Sequence, residues 1–493
     1  MTYLRQVLAL CQYPDLMHRA GDLFPPDVIE TAGRILKGTR YGLGAYSESK
    51  GVRFIREAVA EFIRERDAIE ADPEAIYLTD GASKGVQTAL RMLISGPQDG
   101  IMIPIPQYPL YSATITLYEG KQVGYYLDEG HDWKLSQSML AESLQEARRY
   151  GVRVKAICAL NPGNPTGSVL DRDNIEMLID FAKTHDLAIL ADEVYQENVY
   201  LQGDRFVSFA RVMTETGEAD VSLFSFHSCS KGFLGECGQR GGYMEVRNVP
   251  ADVVAQITKL QSVSLCANLT GQVATYCMVR PPKPGEPSYD RYAQERDGIL
   301  GELKTRATLL ADGLNRIPGI QCNAVAGAMY AFPRITLPAG RKDEEYCMTL
   351  LEQTGICVVP GTGFGQIPGT AHFRTTILPP TREIEQVVER LAAFHAAYRY
   401  TARLTAPRCR VVAMELRDLL FLLLLRLLLR SLARRALALA LGGGMLIEDR
   451  LEPASRRARL SVPSAARQSC GRRSSGSRAA WPGPGRQTWG RSR

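Results

Sequence analysis

The chain has 493 residues, 45% hydrophobic and 23% charged, enough for two domains with substantial cores. Its eleven cysteines are scattered, with no repeated CxxC or metal-like spacing, which excludes a disulfide framework and points to reduced thiols in a cytosol-like compartment. The six histidines do not cluster, so no metal site is expected, and the net charge of +6 is unevenly placed: from Pro407 onward eighteen arginines face five acids, a local +13 that leaves −7 for the body.

In chain order, Met1–Leu10 carries an early arginine but no apolar core long enough for a secretory signal, and acids at Asp15, Asp22, Asp27 and Glu30 disagree with an Arg-rich, acid-poor transit peptide. From about Gly51 to Met278 apolar strands alternate with periodic helices, the pattern of an α/β fold with a mostly parallel sheet covered on both faces. A strand at Ala75–Leu78 runs into Thr79-Asp80-Gly81-Ala82-Ser83-Lys84-Gly85 and a helix to Ser95. Small residues there leave free amides and the positive end of the helix dipole for a phosphate, although small residues begin many helices. The run Pro104–Tyr111 places Tyr108 after another strand, where its ring can stack on a flat ligand or fill the core.

The apolar run Val152–Leu160 predicts a strand, followed by Asn161-Pro162-Gly163-Asn164-Pro165-Thr166-Gly167. Two prolines and two glycines restrict that loop and leave the Asn164 amide to hydrogen-bond a ring hydroxyl; the bland alternative is a bare turn. A helix over Asp171–His185 and a strand over Leu187–Ala191 come next, then Asp192-Glu193-Val194-Tyr195. Asp192 is either an N-cap or a carboxylate for a heterocyclic nitrogen, and the Tyr195 phenol can share a ligand oxygen with Asn164.

After the strand-like Asp220–Phe226 stand Ser228, Lys231 and Arg240. A lysine with a serine three before it and an arginine shortly after can hold pyridoxal phosphate: the amine forms a Schiff base with the aldehyde, while the hydroxyl and guanidinium reach the phosphate dianion. Taken alone, Lys231 is equally readable as an exposed loop lysine.

Arg280–Ser288, rich in proline, marks a boundary. Beyond it a helix over Tyr289–Ile317, strands at Gly319–Cys322, Ala328–Phe332 and Ile356–Val359, and a last helix over Arg382–Tyr398 read as a smaller α+β domain. The expected organisation is a large ligand-binding domain over 51–280, a small domain over 281–405 joined by residues 1–50, and a basic, partly disordered extension over 406–493. In that extension Leu419–Leu429 is apolar but only eleven residues long and broken by Arg426, too short to span a membrane. It reads as a basic amphipathic helix for an anionic membrane, as a nucleic-acid patch or, preferred here, as a non-native extension, so neither nucleic acid nor membrane contact is expected to be needed.

These motifs together resemble fold-type-I, class-I aminotransferases, and more narrowly the alanine aminotransferase subfamily. Leu43–Ser47, Ile105–Ala113, Leu190–Tyr200, Gly235–Tyr243 and His372–Pro380 carry the narrower resemblance, which extends to about Tyr400. It implies Lys231 as Schiff-base lysine and proton shuttle, Asp192 as partner of the pyridine nitrogen, Asn164 and Tyr195 as ligands of the ring oxygen, and Tyr108 as the stacking aromatic. Ala82, Ser83, Ser228 and Arg240 would form the phosphate cup, Tyr46 would reach the phosphate of a neighbouring subunit in a homodimer, and Arg374 would grip the substrate α-carboxylate. The implied reaction moves an amino group between L-alanine and 2-oxoglutarate. Glutamate:glyoxylate aminotransferase is the alternative within the class, and a non-catalytic pyridoxal-phosphate-binding protein the alternative outside it. Two departures stand out: one residue more between Lys231 and Arg240 than in aspartate-type enzymes, and an opening at Met1–Leu8 that resembles a helix normally preceded by an N-terminal arm. A cytoplasmic location is expected, or a mitochondrial one if a longer N-terminus exists.

Overall fold

Seven strands form the central sheet of the computed structural model, which describes residues 1–405 apart from Tyr41, Gln202 and Asp204. They are β1 (Ile76–Thr79), β2 (Asp99–Ile105), β3 (Lys121–Tyr126), β4 (Arg153–Leu160), β5 (Ala188–Asp192), β6 (Leu223–Ser228) and β7 (Gly242–Arg247), in the order β1-β7-β6-β5-β4-β2-β3. β2 to β6 pair in parallel, while β7 runs antiparallel to both β6 and β1. β5 and β6 are almost wholly buried, as strands covered on both faces must be.

The pleat sorts side chains by parity. Ile157, Ala159, Ile189, Ala191 and Leu223 join one core, with the helices Arg172–His185 and Phe209–Glu215. Ala156, Cys158, Leu190, Phe224 and Phe226 join another, with the helices Ala82–Leu93 and Pro109–Leu117. The helix over Arg172–His185 starts where the Asp171 carboxylate accepts the Asn174 amide, an N-cap that satisfies one of its free donors.

Short strands form two further sheets: β8 (Ile320–Gln321) with β10 (Arg334–Ile335), and β9 (Tyr330–Ala331) with β12 (Phe373–Thr376) and β11 (Val359–Pro360). They pack with the helices Tyr289–Asn315 and Asp343–Thr354 and the last helix, Thr381–Thr405, around Leu314, Tyr346, Leu350, Phe373 and Leu391. Here the strands are much shorter than the apolar runs suggested. Ile356 is buried by packing rather than by pairing, so hydrophobicity marked the core and not the ladder. The expectation that residues 1–50 join this C-terminal part differs from the packing seen. Tyr3, Val7, Leu10, Val28 and Ile35 lie in the core of the large sheet, because the amphipathic faces of the first two helices close on each other and the first of them on the Leu269–Val279 helix. The arginine-rich extension over 406–493 lies outside the described residues.

Candidate active site

The parallel strands deliver their carboxyl ends to one edge of the sheet, where ligands of open α/β sheets bind. A cavity of about 230 Å³ opens there, walled by Ala82, Ser83, Tyr108, Asn164, Asp192, Tyr195, Ser228, Lys231 and Arg240, nine residues singled out from sequence. Leu110, Leu160, Pro162, Val194, Ser230 and Cys237, which were not, complete the wall.

Asp192 ends β5 and is no N-cap; the strand's alternation turns it toward the same face as Cys158 and Tyr111. Its Oδ2 accepts from the Tyr111 hydroxyl at 2.9 Å, and its Oδ1 has no partner. Burial pushes the carboxyl up to about 6, with the Tyr111 bond pulling the other way. Tyr195, 3% exposed, also keeps an unpartnered hydroxyl, held neutral because burial raises it well above its ordinary value. The Lys231 Nζ lies 5.3 Å from the centre of the Tyr195 ring, so the lysine belongs to the cavity wall and not to an exposed loop.

The phosphate-binding expectation rests on a cradle of close backbone approaches. Gly81, with φ +76, stands just ahead of the Ala82–Leu93 helix, and a Cβ on it would lie 2.6 Å from Arg240 Nη2. A Cβ on Gly242 would lie 2.6 Å from the His227 carbonyl and 3.0 Å from the Ala82 amide. Glycine at both places lets the helix start, the end of β6 and Arg240 converge. The first amides of that helix have no partner within it, and its dipole favours an anion. Arg240 donates to the carbonyls of Cys237 (2.9 Å) and Asp80 (3.1 Å), which holds the guanidinium beside that helix start. Ser230 adds a buried hydroxyl without a partner.

Tyr108 is 37% exposed, so it is not a core tyrosine. Arg374, on β12, donates to Asn164 Oδ1 at 3.2 Å, and its guanidinium is held between the rings of Tyr330 (4.3 Å) and Phe364 (4.7 Å). Tyr46 stands apart from the cavity wall, at 80% exposure. Tyr111, Tyr330 and Phe364 were missed as site residues. Tyr111 had a readable signal, lying three residues after Tyr108 on the following helix, whereas Tyr330, on β9, and Phe364, in the short turn after β11, meet Arg374 only through the fold.

Three polar atoms on this wall, Asp192 Oδ1, the Tyr195 hydroxyl and Ser230 Oγ, are buried and unpartnered, beside an amine and a cationic cup. Buried polar atoms are seldom left so, and this set matches a flat heterocycle bearing a basic nitrogen, a ring oxygen and a phosphate. Among the described residues no group of three or more His, Cys, Asp or Glu side chains is placed to hold a metal.

Residues 7–391 match the family described as aminotransferase class I and II. Similar proteins include the mitochondrial protein of Dictyostelium discoideum described as "Probable alanine aminotransferase", 50% identical over 413 residues that cover 81% of this chain and 77% of that one. Glutamate–glyoxylate aminotransferase 1 of Arabidopsis thaliana is 48% identical over 410 residues, 80% and 85% of the two chains. Among solved structures, the alanine aminotransferase from Pyrococcus furiosus superposes with a TM-score of 0.65 at 26% identity, over 76% of this chain and 88% of that one.

Proposed function

The chain belongs to the class I and II aminotransferases, pyridoxal-phosphate-dependent enzymes, and from that premise we propose that it transfers the amino group between L-alanine and 2-oxoglutarate, giving pyruvate and L-glutamate. The observation that carries the reading is the convergence of Lys231, the unpartnered Asp192 Oδ1 and the Arg240 cup on one cavity, with Arg374 at its edge.

Bound there, pyridoxal phosphate supplies an electron sink for the charge that develops at the substrate Cα. Asp192 would keep the ring nitrogen protonated, with the Tyr111 hydroxyl holding the carboxylate in place. Asn164 and Tyr195 would bind the ring oxygen, Tyr108 would cover the ring face, and Ala82, Ser83, Ser228 and Arg240, all on the cavity wall, would hold the phosphate. The Lys231 amine would take the proton from the substrate Cα, a transfer by one positioned base worth roughly two to four orders of magnitude. Arg374 grips the α-carboxylate in two-pronged fashion, its plane fixed by Tyr330 and Phe364.

The Ser47 amide donates to Cys266 Sγ at 3.4 Å, which joins the segment of the exposed Tyr46 to that of the exposed Val263 and Leu265, and a second copy of the chain covers this face and receives Tyr46 at its own phosphate. Residues 51–280 and 281–405 act as the large and small domains. The nine described cysteines are free, in keeping with a reducing compartment: the cytoplasm, or the mitochondrion that the Dictyostelium relative's name gives. No helix of the described residues is long and apolar enough to cross a membrane.

The relative named for glutamate and glyoxylate supports a second reading, with glyoxylate as amino acceptor. Comparing kcat/KM for pyruvate and glyoxylate, with glutamate as donor, tests both. A ratio favouring pyruvate supports alanine transamination, a ratio favouring glyoxylate replaces it, and no turnover with either overturns the assignment.

A further inference from the structure

His372 precedes β12, two residues before Arg374, and is only 2% exposed. Its ring stacks on Phe332, centres 4.8 Å apart and planes 2° from parallel, and meets Trp133 edge-on at 5.9 Å. Phe332 meets Phe364 edge-on at 5.8 Å, and Phe364 is one of the two rings that hold the Arg374 guanidinium. Aromatic contact therefore runs unbroken from Trp133, in the loop after β3, to the arginine of the site.

The hydrogen bonds of His372 hold its ring from two sides. Nδ1 lies 2.9 Å from Gln366 Oε1, and Nε2 lies 3.1 Å from Glu129 Oε1. The Gln366 amide is not free to turn over, because its Nε2 donates to Asp343 Oδ2 at 2.9 Å and an ionised carboxylate only accepts. Asp343 is itself fixed by the amides of Thr362 and Glu344. Gln366 thus presents its oxygen, and Nδ1 must donate. Nε2 faces Glu129 Oε1, so the ring is held at both nitrogens.

We propose that His372 is a positioning residue for Arg374. Clamped between Gln366 and Glu129, it ties the strand that carries the arginine to the turn Glu129–His131 beyond the central sheet, and so fixes the guanidinium for a carboxylate. The charged groups facing His372 are Glu129, Arg334 at 3.6 Å from Glu129 Oε2, Asp343 through Gln366, and Arg374 beyond the two phenylalanines; the turn's own pair, His131 with Asp128, is largely exposed. The inference rests on Arg374 being the α-carboxylate ligand.

Two measurements on the holoenzyme test it. In 15N-histidine-labelled protein, the ring signal that disappears in His372→Gln should shift in Glu129→Gln; an unmoved signal overturns the proposal. In kinetics, Glu129→Gln should raise KM for alanine and 2-oxoglutarate about tenfold, the scale of a lost charged hydrogen bond, with kcat and cofactor absorbance unchanged. His372→Gln should reproduce the KM increase and serves if the first variant does not fold. Arg374→Lys is the control. A raised KM there with none in Glu129→Gln removes the clamp alone, and an unchanged KM in Arg374→Lys removes the arginine assignment and the clamp with it.

Discussion

Asp192 and Glu193 are neighbours at the end of β5, and the pleat sends them to opposite faces of the sheet. Burial acts on both, pushing Asp192 up to about 6 and Glu193 up to about 7. Their partners differ. Glu193 accepts from the Phe209 amide at 2.9 Å and the Ser225 hydroxyl at 2.6 Å, next to an Asp67 carboxylate that takes the Ser208 hydroxyl and pairs with Arg66. Asp192 keeps one oxygen unpartnered, and so do Tyr195 and Ser230 on its side. The rear face has an orphan as well: neither ring nitrogen of His227 finds a partner. Yet burial drives that histidine down to about 3, and the neutral ring stacks on Phe62 and meets Tyr243 edge-on, packing as an aromatic. A buried polar atom without a partner marks function when it opens on a cavity with others, and not when it is enclosed by rings.

If that contrast holds, substitutions on the front should change catalysis and those on the rear stability. The largest expected effect is from Lys231→Ala, which should lower kcat by roughly 10²–10⁴ in a coupled pyruvate assay while moving the melting temperature little. A loss of stability with retained turnover would reverse the comparison.

Stability of cofactor-free protein separates the faces next. The folded value of Asp192 is raised above its unfolded one of 3.8 to about 6, so the folded state binds more protons between them and stability falls as pH rises from about 4 to 6. Above that window the buried charge costs about 3 kcal/mol, and Asp192→Asn should recover it at pH 8 while removing activity. Glu193→Ala sheds a buried charge of similar cost, since that carboxyl is raised to about 7, but it also strands the Phe209 amide and the Ser225 hydroxyl at about 1–3 kcal/mol each, so it should give no net gain. Urea melts of the two variants decide the matter, and equal gains would break the contrast.

Much of the front face was legible in the chain because it comes from short local strings, each ending a strand: Ala82-Ser83, Asn164, Asp192 and Ser228 to Arg240. Parallel strands bring such strings to one edge whatever the detail of the packing. The rear network was not legible, since Asp67, Glu193, Ser208 and Ser225 are polar residues that look like surface until the fold buries them. Tyr330 and Phe364 were unreadable for a related reason: one comes from the strand paired with that of Arg374 and the other from the turn after β11, and no spacing records either contact. The N-terminal helices were attached to the wrong core because amphipathic faces tell that a helix packs, not against what.

A smaller effect sharpens the front itself. Arg374→Lys should raise KM for both substrates about tenfold with cofactor absorbance intact, since a point charge loses the two-pronged bond and the stacking between Tyr330 and Phe364. Smallest of all, removing residues 407–493 should leave kcat/KM unchanged, because every wall residue of the cavity precedes Pro407. A truncated enzyme that loses cofactor absorbance would show that the extension reaches the site.

The most direct test of the front face is chemical. Purified protein is incubated with pyridoxal phosphate, reduced with borohydride and digested, and the peptides are mapped by mass. The account predicts a phosphopyridoxyl label on Lys231 and its absence after Arg240→Ala at limiting cofactor; a label on any other lysine, or none, would contradict it.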